Sequence, residues 1–406
     1  MKSKPAVLLI AALGLVGVVS TAASEESFYE ETFSLYGYVV NFFNANLYSD
    51  DWRITDSDYG NILYGRLKGD WNPGDNLSFH MELDYNASVG NLNPGTAIQT
   101  ASVDHLWGSV NWGRFDVQFG KLPIAWGTGY FFNPTSKATM IPFLESVSEE
   151  TPGTVGIVPS VSFLDGFLSL QGYMAFQDKS HSSSLQGNTG DWANLPFGVK
   201  LQGVVGSFDL SAGWIKEVLY VEIPTEKYLR SHYVAVDCAG AIWNFGVYGE
   251  AALKMWDESK EKLAFDYDKL LDLVDVCIGF DYFIPALEID IRVEYYHQGL
   301  GEQDKSKYEF DRQKTGELLV QAEDYLLLYL ERSFLDYFNI STTGIVNIND
   351  GSLGFVPELS GEPYENIQVG LGAMLFYGPE GSEFDGEYPG FDITEPSVYL
   401  RCKLSF

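Results

Sequence analysis

Apolar and polar residues alternate along most of this chain with a period of two, the spacing of a β-strand with one apolar and one polar face. In Leu77–Tyr85, Leu77, Phe79, Met81, Leu83 and Tyr85 share one face and Ser78, His80, Glu82 and Asp84 the other. In Leu287–Tyr296, Leu287, Ile289, Ile291, Val293 and Tyr295 alternate with Glu288, Asp290, Arg292, Glu294 and Tyr296. At the end of the chain Val398, Leu400, Cys402, Leu404 and Phe406 alternate with Tyr399, Arg401, Lys403 and Ser405. Reading in this way gives eighteen strands, starting near residues 33, 58, 76, 101, 115, 157, 167, 195, 207, 230, 245, 272, 286, 318, 335, 353, 366 and 397.

The connections alternate too. Every second one is mostly tight: Asn72–Asp75, Trp112–Arg114, Leu164–Gly166, Gly206–Ser207, Trp243–Asn244, Ile284–Ala286 and Phe334–Asp336. The others are mostly long and polar, such as Ser88–Gln99, Asp178–Asn194, Gln298–Glu317 and Gly378–Pro396. Short turns at one end and long loops at the other predict a transmembrane antiparallel up-and-down β-barrel of about 18 strands (16–18), with periplasmic turns and extracellular loops. A soluble sandwich would have to bury the large apolar and aromatic outer faces that lipid accepts. Three places fit less cleanly. Val103–Trp112 has no distinct polar face. The register of Val320–Arg332 turns Asp324 towards lipid, unless a bulge or the rim accommodates it. Trp256–Lys269 reads as a short loop helix.

The first residues interrupt the pattern. Lys2 and Lys4 precede the apolar run Ala6–Val19 and the small residues Ser20, Thr21, Ala22 and Ala23. This is the layout of a secretory signal peptide, cleaved near Ala23. The predicted organisation is a signal peptide over 1–23, a short periplasmic segment over 24–32 and a barrel over 33–406. No later apolar stretch approaches the roughly 20 residues of a membrane helix.

Composition agrees with a barrel: aromatics make up 15% of the chain and glycines number 41. The net charge of −31 excludes a nucleic-acid partner, which needs a basic surface. Cys238, Cys277 and Cys402 give no disulfide framework and no metal-ligand spacing. No cofactor and no metal site are expected.

By register the lumen face carries Glu82, Asp84, Glu250, Asp281, Glu288, Asp290, Glu294 and Glu323, opposed by Arg66, Lys68, Lys200, Lys254, Arg292, Arg401 and Lys403. The long third outer connection, roughly Lys121–Val155, includes Lys121, Trp126, Gly127, Tyr130, Phe132, Asn133 and Pro134. It either narrows the pore or packs as a plug of aromatics. The last strand, with Tyr399, Leu404 and the final Phe406, reads as an assembly signal for the barrel-assembly machinery.

Four stretches together resemble bacterial porin-like outer-membrane barrels. They are Phe119-Gly120-Lys121 leading into Trp126-Gly127 and Asn133-Pro134, the hairpin Asn347–Ser352, the segment Leu375–Phe384, and terminal Phe406. The resemblance implies an outer-membrane channel for small hydrophilic solutes, in contact with membrane lipid and commonly a homotrimer. It carries over no ligand site. Acidic loops add an expectation of mild cation selectivity. Two other classes stay open: an adhesion or structural barrel binding a surface partner or divalent ions through Glu380, Glu383 and Asp385, and an outer-membrane hydrolase. Only His80, His105, His181, His232 and His297 could serve the last, with His297 beside Glu294 and Tyr296 the least implausible centre. The chain is read as not being an enzyme.

Overall fold

The structure is a computed structural model. It describes residues 33–47, 54–90, 98–139, 151–181, 191–221, 227–258, 262–263, 270–335, 337–385 and 396–406. The predicted signal peptide and the segment 24–32 lie outside the described residues, as do parts of several long loops.

Eighteen wall strands follow one another. The first six are β1 (Phe33–Leu47), β2 (Ile54–Gly74), β3 (Leu77–Gly90), β4 (Ile98–Trp112), β5 (Phe115–Leu122) and β6 (Thr154–Phe163). Next come β7 (Leu168–Ala175), β8 (Phe197–Val205), β9 (Phe208–Val221), β10 (Lys227–Ile242), β11 (Phe245–Asp257) and β12 (Val274–Ile284). The ring is completed by β13 (Ile289–Gln298), β14 (Asp324–Phe334), β15 (Phe338–Asn347), β16 (Leu353–Tyr364), β17 (Ile367–Tyr377) and β18 (Ser397–Ser405). Each pairs antiparallel with its neighbours in sequence, and β1 pairs with β18, so the sheet closes on itself. At the seam Val39 lies opposite Leu404, and Gly37 and Phe406 exchange two backbone hydrogen bonds of 2.9 Å.

Closure satisfies every edge, which a strand in lipid requires. The outer face is then free to be apolar. In β14, Leu326 and Leu328 are exposed while Tyr325 and Leu327 are fully buried inside; in β12, Ile278 and Phe280 are exposed while Cys277 is buried. Rings cluster near the tight turns, where Trp112, Phe115, Phe163, Phe167, Trp243, Tyr337 and Tyr364 are all exposed, the positions of an interfacial aromatic girdle. The tight turns use left-handed backbone at Asp165, Trp243 and Asn366 (φ 55°, 56° and 66°), as hairpins must to match strand twist.

Three expectations are corrected. The fourteenth strand begins at Asp324, not near 318; Leu318, Val320 and Ala322 instead form a buried inward segment. Asp324 sits at the rim, where its carboxylate accepts from Tyr295 Oη at 2.6 Å and pairs with His297 Nδ1 at 2.9 Å. Glu323 is therefore a loop residue rather than part of the wall. Glu288 is also off the wall, in the exposed β12–β13 turn with φ 55°. Finally, of Trp256–Lys269 the first two residues are strand, not helix: Trp256 and Asp257 end β11 and pair with Leu263 and Lys262, Glu258 begins a 3-10 turn, and 259–261 and 264–269 lie outside the described residues.

The imperfect alternation of β4 has a physical cause. The β3–β4 register shifts between Glu82 and Leu83: Glu82 faces His105, Leu83 faces Val103, and Asp104 is the extra residue. A bulge puts two residues against one, so Asp104 and His105, both buried, turn to the same inner face.

Candidate functional site

The third outer connection folds into the barrel. From the end of β5, Ile124, Trp126, Phe132 and Ala138 are all buried. Gly127 adopts φ 114°, and a Cβ at Gly129 would lie 2.7 Å from Glu250 Oε1. Glycine is required at both points if this backbone is to turn against a wall carboxylate.

Two inward carboxylates hold the loop. Glu250 on β11 accepts from the backbone of Gly129 at 2.8 Å, from that of Thr135 at 3.1 Å and from the Thr135 hydroxyl at 2.5 Å. Glu294 on β13 accepts from Tyr130 and Phe131 through Oε2 at 3.1 and 2.9 Å, and from Phe132 through Oε1 at 3.0 Å. Tyr248 Oη and Cys277 Sγ donate to the same carboxylate at 3.1 and 3.0 Å. Such charge-assisted bonds are about twice as strong as neutral ones, and they compensate an anion that burial would otherwise penalise.

Rings lock the loop sideways. Trp126 meets Tyr173 edge-on at 4.7 Å with Lys200 Nζ 5.1 Å from its ring. Phe132 stacks on Tyr296 at 4.4 Å, and Arg292 lies 3.4 Å above Tyr130. Lys137 reaches Asp275 at 2.9 Å. Burying one such aromatic stabilises by about 1.5–3 kcal/mol. These contacts run along β7 to β14, whose inner face mixes buried apolar residues such as Tyr173, Ile215, Tyr233, Ala252 and Leu327 with the charges of Glu217, Glu250 and Glu294. Asn133 and Pro134 form the turn that brings Thr135 to Glu250.

Other loops add to this plug. Phe384 joins Phe132, Tyr325, Val320 and Ile345 in one apolar cluster. Beside it the Glu383 carboxylate accepts from Tyr325 Oη, from Asn347 Nδ2 at 2.9 Å and from the Gln321 backbone at 3.1 Å. Burial lifts its carboxyl to about 7, against the opposing pull of those donors. Glu383 is thus a structural acceptor, and Asp385 accepts from the Gly381 backbone; the three loop acids do not gather into a cation site.

Across the ring the inner face is charged. Arg66 on β2 makes a bidentate pair with Asp84 at 2.7 Å and reaches Glu82 at 2.9 Å and Asp104 at 2.6 Å. Lys68 is 3.3 Å from Glu82. Arg401 on β18 pairs with Glu358 on β16 at 2.6 Å, and Lys403 lies 4.5 Å above the Tyr38 ring. On the loop's own side of the ring, Lys254 on β11 pairs with Asp257 at 3.5 Å. Asp281 and Asp290 follow the inward parity of Cys277 and Glu294. Lys121, read as the start of the constriction loop, lies near the end of β5, is buried and donates to the Val103 carbonyl at 2.8 Å. Tyr399 points inward too, donating to Glu358 at 2.8 Å, whereas Leu404 and Phe406 lie at the seam.

The sequence reading missed Asp104, Glu217 and Glu358. Parity alone would have found Glu217, two residues after inward Ile215, and Glu358; the bulge hid Asp104. The structure does not assemble the hydrolytic centre considered above. Glu294 and Tyr296 face inward, while His297 is on the opposite face and spends both ring nitrogens on Asp324 and the Leu271 carbonyl.

No protein-family profile and no curated protein matches the chain. Among solved structures it is similar to OccAB1 of Acinetobacter baumannii, at 9% identity and a TM-score of 0.57, covering 95% of this chain and 98% of that one. Two variants of the Rhodopseudomonas blastica porin align at 9% identity over 92% of this chain and 100% of theirs, with TM-scores of 0.46 and 0.47. The chain has the fold of a porin-like β-barrel.

Proposed function

We propose that this porin-like barrel is an outer-membrane channel through which small hydrophilic solutes diffuse passively, with a mild preference for cations. The observation that carries this reading is the division of the interior. The inward loop is fastened along β7 to β14 by Glu250 and Glu294, while β16, β18 and β1 to β4 turn a mixed row of charges inward: Glu358, Arg401, Lys403, Arg66, Lys68, Glu82 and Asp84. An eighteen-strand ring is wide enough for an aqueous passage beside such a loop. A charged inner wall is stable only if wetted or internally paired, and it suits hydrated solutes.

In this reading the amino-terminal segment directs export and is removed near Ala23. The last strand then presents Leu404 and Phe406 to the assembly machinery, and the apolar outer face meets membrane lipid. Copies of the barrel assemble as a homotrimer. No step calls for a cofactor or a catalytic residue.

Single-channel recording in a planar bilayer tests the reading. Discrete conductance steps that scale with salt are expected from the purified barrel. A correctly folded barrel that never conducts would overturn it in favour of an adhesion or structural role.

A further inference from the structure

We propose that His80, Glu82 and His105 form a binding site for a borderline divalent transition cation, with zinc as its probe, on the inner wall at the β3–β4 bulge. One ligand atom from each of these residues can be chosen so that all lie within 4.8 Å of one another. His80 Nε2 is 2.8 Å from Glu82 Oε1, and His105 Nδ1 is 3.4 Å from Glu82 Oε2. Tetrahedral zinc with bonds of about 2.0–2.2 Å sets its ligand atoms roughly 3.3–3.5 Å apart, so small side-chain movements suffice.

The far side of each ring supports this assignment. His105 Nε2 lies 3.0 Å from the Thr151 carbonyl, which can only accept. That nitrogen therefore carries the proton, and a neutral imidazole then presents a lone pair at Nδ1. His80 Nδ1 lies 2.6 Å from Asp70 Oδ1, an acceptor that holds a proton at Nδ1 and leaves Nε2 to face Glu82. His80 Nε2, His105 Nδ1 and the Glu82 carboxylate thus converge on one point. A divalent ion bound here displaces to solvent any proton that these two nitrogens carry, while each ring keeps its N–H towards Asp70 or the Thr151 carbonyl. A histidine held from behind by a carboxylate or carbonyl is the usual outer support of a metal ligand, and imidazole selects zinc, copper or nickel over calcium and magnesium.

The neighbouring charges permit the ion. Arg66 keeps its bidentate pair with Asp84 and its contact with Asp104 when Glu82 turns away. Asp70, Glu82, Asp84 and Asp104 outnumber Arg66, Lys68 and Lys121. Lys68, 3.3 Å from Glu82, weakens the site without filling it. The His80 side chain is 14% exposed, which opens the site to solvent. The indole N–H of Trp107, buried and without a hydrogen-bond partner, belongs to a ring 5.3 Å from that of His80.

The full-length barrel, folded in detergent and stripped with chelator, is dialysed against zinc chloride and its metal content measured. One tightly held zinc per barrel is expected, with at least tenfold weaker binding in His80→Ala and in His105→Ala. Heat-modifiable mobility confirms that each variant is folded. Cobalt in place of zinc should give the visible absorption of a tetrahedral nitrogen and oxygen site, lost in both variants. His297→Ala, at the outer rim, should bind as the parent does. Equal binding in a folded double variant, or no retained zinc in the folded parent, would overturn the site. Dialysis needs no ion flow, so its outcome is independent of whether the barrel conducts.

Discussion

Glu294 and Phe132 are joined across the interior of the barrel: Oε1 of the β13 glutamate accepts the backbone N–H of the loop phenylalanine at 3.0 Å, and both residues are fully buried. A loop that would otherwise project from the rim is drawn inside by a wall residue far away in sequence. The wall gains a charge that belongs to the loop's stability, so wall and loop are tied by the same contact.

Removing that acceptor is expected to release the loop. Glu294→Ala leaves the N–H groups of Tyr130, Phe131 and Phe132 without their partner, at about 1–3 kcal/mol for each that stays buried. Glu294→Gln keeps one acceptor oxygen and should cost less. Single-channel recordings should show larger, noisier openings for the alanine variant and an intermediate level for glutamine. A parental conductance and an unchanged melting temperature in Glu294→Ala would refute the anchoring role.

The docking of 378–385 should depend on pH. Glu383 holds its proton up to about 7 when buried, whereas a released loop would return it to roughly 4.3. Between these values the docked form binds more protons. Docking is therefore strongest below the lower value and is lost as pH rises through 7, at on the order of 1 kcal/mol per pH unit inside the window. The protection of 378–385 against hydrogen exchange, after correction for the intrinsic base-catalysed rate, should be weaker at pH 8 than at pH 5, and Glu383→Gln should remove the difference. The opposite trend would mean that another group governs the loop.

Mild cation selectivity is expected in a potassium chloride gradient, fading as salt rises, because mouth charge acts only within a Debye length of roughly 10 Å at 0.1 M. Lys121→Ala should leave the reversal potential where it is, since Lys121 is buried in the wall rather than exposed to the solution. Clear anion preference at low salt would show that Arg401, Lys403 and Lys68 outweigh the acidic loops.

Deleting Phe406 is expected to reduce insertion while export continues. Its backbone donates to and accepts from Gly37 at the closing seam, and its ring ends the alternating strand. Normal amounts of heat-modifiable barrel in the membrane after deletion would remove this role.

Much of the architecture was legible because two signals agreed. Alternation located the walls, and tight turns such as Trp243–Asn244 and Gly206–Ser207 separated them. Strand ends were less legible. Val320 and Ala322 are apolar and alternate as a strand would, yet they are buried inside by Phe132 and Phe384, so periodicity could not separate wall from plug. The site was legible only as a list of inward charges. That Glu250 and Glu294 serve a loop more than a hundred residues away is a matter of tertiary contact. His105 was hidden because one extra residue at Asp104 reverses parity, and no composition signal marks a bulge.

The seam between β1 and β18 also bears on how the barrel is made. Val39 finds its partner in Leu404, so the pairing that closes the ring spans almost the whole chain and carries the largest loop-closure entropy of any strand pair here. Until it forms, two strand edges stay open, each a template for pairing with another chain. Ring closure is therefore the slow, aggregation-exposed step of folding, and a catalyst that shields both edges until they meet would speed it more than one acting on any hairpin.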